Sequence, residues 1–239
     1  MIIAALRRQG RHDGPLGPYS AGSESFVESR VRAAVLIDRG LPAVDVLIRA
    51  MTGASEIIRL GLGTDPLQAL ECAVRAAGAH ASSVHLFSHG KPGVLELSSG
   101  ELSLATLSRD DRRLDDLRCA LAGRPLVLYG CSVGRGVVGR RLVEALALAL
   151  DAPVFASSTP TGIGARGGDW VFDVSAGARA DTFPVLLDPE RAARWPGLLA
   201  VNVTSTLGDA SAGTFREAAA SGEQIVNFHD LGAGATITL

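Results

Sequence analysis

Two side chains suited to nucleophilic chemistry each follow a short apolar run in this chain. Val84-His85-Leu86-Phe87-Ser88 leads into His89-Gly90, and Leu126-Val127-Leu128-Tyr129-Gly130 leads into Cys131. A cysteine attacks as its thiolate, and a neighbouring imidazole both favours that form and carries the proton a leaving group needs. For His89 and Cys131 to act together, the elements that precede them must end side by side. Both runs read as buried parallel strands, and the crevice outside the carboxyl ends of such strands is where open α/β sheets place their chemistry.

The surrounding pattern supplies the rest of such a sheet. Ala33 to Asp38 reads as a first strand, Pro42 to Met51 as a helix, and Glu56 to Leu60 as a second strand. Thr64-Asp65-Pro66 opens a helix to about Ala77, with a capping residue and an early proline. Val94–Leu97 and Glu101–Leu104 flank Ser98-Ser99-Gly100 as a β-hairpin, and a polar helix covers roughly 106 to 121. After Cys131, Val138, Leu142, Ala145, Leu146 and Ala149 fall on one face of a helix that starts near Gly136. Pro153 to Ser157 is a further strand, followed by the glycine-rich stretch Gly162 to Gly168 and then Trp170-Val171-Phe172-Asp173. Strands alternating with helices define an α/β class with a mostly parallel sheet covered on both faces.

Composition narrows the chemistry. The chain has 239 residues, 47% of them hydrophobic and 20% charged, which describes a globular protein with a sizeable core. A net charge of −2 argues against a nucleic-acid partner. Cys72, Cys119 and Cys131 are too few and too scattered for a disulfide framework or a metal knuckle, so no metal or other cofactor is expected. Cys72 and Cys119 fall within helical patterns and read as core residues, and His85 as a packed or hydrogen-bonded histidine inside its strand. No stretch approaches the roughly 20 apolar residues of a membrane span. The opening Met1 to Arg8 places its arginines after its apolar run, the reverse of a cleavable signal peptide.

Four segments follow from these textures. Residues 1–30 are rich in Gly, Pro and Ser and read as a flexible leader; 31–187 form the α/β domain; 188–200, with Trp195-Pro196-Gly197, read as a linker. Residues 201–239 alternate like strands at Val201–Thr204, Gln224–Phe228 and Ala235–Leu239. A β-solenoid needs about three stacked repeats to bury its core. The tail therefore reads as the incomplete start of one.

Ser88-His89-Gly90 and Tyr129-Gly130-Cys131-Ser132 resemble the two motifs of the caspase-like clan of cysteine peptidases, which includes caspases, legumains, gingipains and clostripain. The 42 positions from His89 to Cys131 are similar to the roughly 50 in caspases. With Ile37-Asp38 and Gly167-Gly168-Asp169-Trp170 added, the stretch 31–187 resembles the caspase-like domain at the N-terminus of large bacterial repeat exoproteins and adhesins. Phe215-Arg216-Glu217-Ala218 is similar to a Leu-Arg-Glu-Ala signature at the opening of right-handed β-helix exoproteins, with Phe in place of Leu.

The resemblance implies a caspase-like three-layer sandwich in a secreted or cell-surface protein. Cys131 would be the nucleophile, His89 its base, and the N–H groups of Gly90 and Cys131 the oxyanion hole. Asp38, Ser88, Tyr129, Asp169 and Trp170 are the candidates for lining a pocket or orienting the dyad. Tyr129 stands where some clan members that cut after basic residues carry an acid, which argues against a preference for Arg or Lys. The substrate would be a polypeptide, including this chain's own linker between 187 and 200. The competing reading is a catalytically idle module for secretion, docking or adhesin assembly, which predicts an occluded groove. A Rossmann-type binder is disfavoured because Asp38-Arg39-Gly40-Leu41 does not supply Gly-x-Gly-x-x-Gly after the first strand.

Overall fold

A computed structural model of the chain describes residues 32–199, apart from 62, 64, 109, 110, 179, 181 and 182. The segments expected to be a leader (1–30) and a solenoid-like tail (201–239, with Phe215–Ala218) lie outside the described residues, as does Ala200 of the expected linker. In chain order the elements are β1 (Arg32–Ile37), α1 (Val44–Ala50), β2 (Ala54–Arg59), α2 (Pro66–Ala76), β3 (Ser83–Phe87), β4 (His89–Lys91), β5 (Val94–Leu97) and β6 (Gly100–Ser103). Then come α3 (Leu104–Leu107), α4 (Asp111–Leu121), β7 (Leu126–Tyr129), α5 (Gly136–Leu150), β8 (Val154–Ala156), β9 (Val174–Ala176) and α6 (Pro189–Ala192).

Six strands form one sheet in the order β2-β1-β3-β7-β8-β9. The first five run parallel, and β9 closes the edge antiparallel to β8. Alternate side chains along a strand face opposite ways, and here both faces are covered. On one side Ala34, Leu36, Val84, Leu86, Leu126 and Leu128 pack in one cluster with apolar residues of α2, α4 and α5. On the other, Val35, Ile37, Phe87, Val127, Tyr129 and Phe155 meet Val44, Leu47 and Ala50 of α1, Ala192 of α6 and Trp195. This is the three-layer, mostly parallel α/β sandwich anticipated from the alternation of strands and helices.

Register decides what the sheet can do. Ile37, Phe87 and Tyr129 lie abreast on β1, β3 and β7. The ladder continues one residue further, with the Asp38 amide donating to the Phe87 carbonyl at 2.9 Å and Ser88 to Tyr129 at 3.0 Å. Asp38, His89 and Cys131 therefore leave the sheet at the same edge.

Two local features depart from the sequence reading. His89-Gly90-Lys91 is a strand of a second, small antiparallel sheet, β4-β5-β6, in which His89 lies opposite Glu96. Lys91 ties this sheet together by ion pairs to Glu96 at 2.8 Å and Glu101 at 2.9 Å. Cys72 and Cys119 are exposed and not in the core. Leu67, Leu70, Ala73 and Val74 take the buried face of α2, which turns Cys72 outward.

Candidate active site

Cys131 is fully buried at the end of β7. Its sulfur accepts the Thr161 amide at 3.2 Å and its thiol hydrogen reaches the Thr161 carbonyl at 3.5 Å. Thr161 belongs to the loop between β8 and β9, and that loop is pinned to the turn after Cys131. The Ser132 amide donates to the Thr159 carbonyl at 3.0 Å, Gly134 to Ser157 at 2.8 Å, and the Thr161 hydroxyl to Gly130 at 3.2 Å. Ser132 adopts φ 55°, a left-handed conformation that a non-glycine residue holds only at some cost. The chain thus turns sharply just past the thiol. α5 begins at Gly136, a full turn beyond Cys131, and a helix terminus acts mainly within its first turn. A backbone amide that does reach the sulfur comes from Thr161.

His89 is half-buried on β4, with its Nδ1 shielded from solvent. Its neighbour Gly90 lies against the cysteine turn. A Cβ on Gly90 would come within 2.7 Å of Val133 Cγ2 and 3.1 Å of Gly130 Cα, so only glycine allows the two strand ends this approach. Asp38, almost fully buried, accepts the Ser98 amide at 2.7 Å, the Ser98 hydroxyl at 2.8 Å and the Gly40 amide at 3.0 Å. It fastens the β5–β6 turn to the end of β1 and so supports the small sheet on which His89 rides.

The remaining candidates frame this edge. The Ser88 hydroxyl donates to the His89 carbonyl at 2.9 Å. Tyr129 is fully buried, stacked on Phe87 at 4.0 Å between ring centroids and 3.2 Å from His85 Nδ1 through its hydroxyl. Burial pushes His85 down to about 3 and raises Tyr129 above its ordinary value, so both are neutral at pH 7. The Asp169 carboxylate accepts the Thr159 hydroxyl at 2.9 Å and the Val171 amide at 3.0 Å, bracing the β8–β9 loop. Trp170 is half-buried, with its ring 6.0 Å from that of Trp195.

What occupies the edge was not foreseen in detail. Residues 188–199, read from the sequence as a linker, are packed onto the domain. Trp195 is fully buried with its indole N–H donating to the Pro42 carbonyl at 3.3 Å, and Leu198 and Leu199 are buried as well. Gly197 to Leu199 run antiparallel to the loop 161–163. The Leu199 amide donates to the Thr161 carbonyl at 2.9 Å, and the Ile163 amide to the Gly197 carbonyl at 3.0 Å. The Leu199 carbonyl oxygen then receives two hydrogen bonds at once, from the Gly90 amide at 3.0 Å and the Cys131 amide at 2.9 Å. Two N–H groups converging on one carbonyl oxygen polarise it and favour negative charge there.

Sequence reasoning singled out Gly90 and Cys131 but passed over Thr161 and Leu199. Pro196-Gly197 masked the second; the apolar Trp195, Leu198 and Leu199 beside it were the available signal.

These features define a class: a three-layer α/β domain with a histidine and a cysteine at the carboxyl edge of its sheet and a paired-amide cradle between them. Within that class the chain belongs to the family described as Domain of unknown function (DUF4347), whose model matches residues 34–199. No curated protein matches it. Among solved structures it is similar to a secreted C11 cysteine protease from Bacteroides thetaiotaomicron in complex with an irreversible peptide inhibitor. That match has 12% identity and a TM-score of 0.33, over 54% of this chain and 49% of that one. It is also similar to caspase-1 from Spodoptera frugiperda, at 14% identity and a TM-score of 0.30, over 54% of this chain and 60% of that one. The chain thus spans about half the length of the first of these structures. At such values neither likeness assigns an activity or a residue.

Proposed function

We propose that this domain is a caspase-like cysteine endopeptidase in which Cys131 attacks a peptide carbonyl and His89 protonates the departing amine. One observation carries the reading: the amides of Gly90 and Cys131 meet on a single peptide carbonyl oxygen, Leu199 O, at 3.0 and 2.9 Å. A peptidase needs such donors where charge develops, and removing one from a hydrolase costs about 10² to 10³ in rate. The edge of the 161–163 loop supports the same reading, because it holds residues 197–199 through backbone groups, as an extended polypeptide is held independently of its side chains. The apolar surroundings of Tyr129 favour an apolar residue before the scissile bond. By its sequence resemblance, the domain works at the N-terminus of a secreted or surface repeat protein.

The test is covalent trapping with a panel of peptidyl chloromethyl ketones that differ in their terminal residue. The expected result is modification mapped to Cys131 by peptide mass analysis, and its loss in His89→Ala. The exposed Cys72 and Cys119 serve as internal controls for indiscriminate alkylation. Modification confined to those two, with Cys131 untouched by every member of the panel and no cysteine-dependent cut anywhere in the chain, would sink the peptidase claim. It would favour the second reading, an idle docking or secretion module, which draws support from the chain's own residues 197–199 occupying the groove.

A further inference from the structure

The occupant of the cradle identifies a substrate. An arbitrary packed segment would bury its side chains and leave its backbone direction unconstrained. Residues 197–199 instead lie extended and antiparallel to the 161–163 edge, with alternate backbone groups paired at Leu199 N and Gly197 O. The chain is threaded so that the oxygen held by both amides is that of Leu199, the last residue before Ala200. Glycines make this approach possible. A Cβ on Gly162, which has φ +143°, would lie 2.5 Å from the Gly197 oxygen, and one on Gly168 would lie 2.5 Å from Leu198 Cδ2. The Leu199 side chain is fully buried in the apolar cluster that also contains Val35, Phe87, Tyr129 and Cys131. Backbone pairing, a buried apolar side chain and a doubly held carbonyl all converge on one residue.

We infer that the peptide bond between Leu199 and Ala200 is the site's own first substrate, cut within the same molecule. This rests on the peptidase reading above. The Cys131 thiolate adds to the Leu199 carbonyl carbon, forming a C–S bond and moving the carbonyl π pair onto the oxygen held by Gly90 and Cys131. Collapse of that adduct breaks the C–N bond to Ala200, and the imidazolium of His89 gives its proton to the departing amine. Water then attacks the thioester, giving up a proton to His89, and the C–S bond breaks. The products are a Leu199 carboxylate, whose acid proton passes to solvent, a regenerated thiolate–imidazolium pair and a fragment with a free amine at Ala200. Leucine is therefore the residue this site accepts before the cut, in keeping with Tyr129 and its aromatic neighbours and with no acid at that position.

The experiment is intact-mass analysis and N-terminal sequencing of the purified 239-residue chain over time, for wild type, Cys131→Ala and Ala200→Pro. Expected for wild type is a fragment pair with a new C-terminus at Leu199 and a new N-terminus at Ala200, formed at a rate independent of protein concentration. Cys131→Ala should stay whole, including when mixed with wild type, because its own segment fills its own groove. Ala200→Pro should also stay whole at this bond, since it replaces the scissile secondary amide with a tertiary one and leaves every described contact of Leu199 in place. Cysteine-dependent cutting at another bond, or trapping of Cys131 in a chain that never cuts itself, would overturn this inference and leave the peptidase reading standing. An uncut chain whose Cys131 resists every chloromethyl ketone would remove both.

Discussion

At Gly90 a single added methyl group would collide with Val133 and crowd the Gly130 backbone, and no flexible side-chain end is there to yield. The strand end carrying His89 would have to back away from the one carrying Cys131. The Gly90 amide would then no longer reach an oxygen held by the Cys131 amide. Gly90→Ala is therefore expected to slow formation of the Ala200 N-terminus by about 10² to 10³. Its fold should weaken by only about 1–3 kcal/mol, the usual cost of an overpacked site. Mass analysis of the time course beside a thermal melt separates the two effects, and an unchanged cleavage rate would remove Gly90 from the cradle. His-Gly after one apolar run and Cys after another were legible in the sequence, because strand ends advertise themselves through the break from apolar to polar. Leu199 was not legible as a partner. Nothing local to Pro196-Gly197-Leu198-Leu199 says which distant amides its carbonyl will meet.

One scale up, the small sheet β4-β5-β6 positions His89, and Asp38 positions the sheet. All three groups facing the Asp38 carboxylate are donors: the Ser98 amide, the Ser98 hydroxyl and the Gly40 amide. An asparagine offers only one acceptor oxygen and turns an N–H₂ group toward the remaining donors. Asp38→Asn and Asp38→Ala are both expected to cost about 1–3 kcal/mol in urea unfolding and to slow trapping at Cys131 through a displaced His89. A loss of stability with unaltered trapping would confine Asp38 to a structural role. Most of the large-sheet strands and the hairpin could be read from periodicity alone. β4 could not, because three residues containing a glycine carry no period. The closing edge strand was not read either: it falls at Val174–Ala176, just past the apolar Trp170-Val171-Phe172 run. Trp170 and Phe172 are drawn instead into the aromatic group around Tyr129 and Trp195.

For the molecule as a whole, buried His85, held against Tyr129, contributes to how stability responds to acid. His85 lies on β3, 2.9 Å from the Ser83 hydroxyl and 3.2 Å from the Tyr129 hydroxyl, and burial pushes it down to about 3. In the unfolded chain it takes up a proton near 6.5. Between those values the unfolded state binds the extra proton. The stabilising contribution is thus complete above about pH 6.5 and is lost progressively as pH falls towards about 3, by up to about 1.4 kcal/mol per pH unit. Urea titrations of wild type against His85→Gln should show the acid slope shallower in the variant, and parallel slopes would refute this account. The layered fold was legible from alternation and burial. That residues 188–199 belong to the fold was not, since a composition shift marks the end of a pattern and not the end of packing.

The threading of Gly197 to Leu199 through the groove also fixes the terms on which any other polypeptide gains access. A tethered ligand competes at an effective concentration of order millimolar. A free peptide with the same contacts must reach roughly that concentration to share the groove equally with the resident strand. If the domain is the self-cutting peptidase inferred above, it would act until that strand withdraws as a single-use device, counted in events per molecule and not in turnover. On the proposed peptidase reading, whatever pulls residues 197–199 free, be it a bound partner or tension along the chain, would open the groove to repeated turnover.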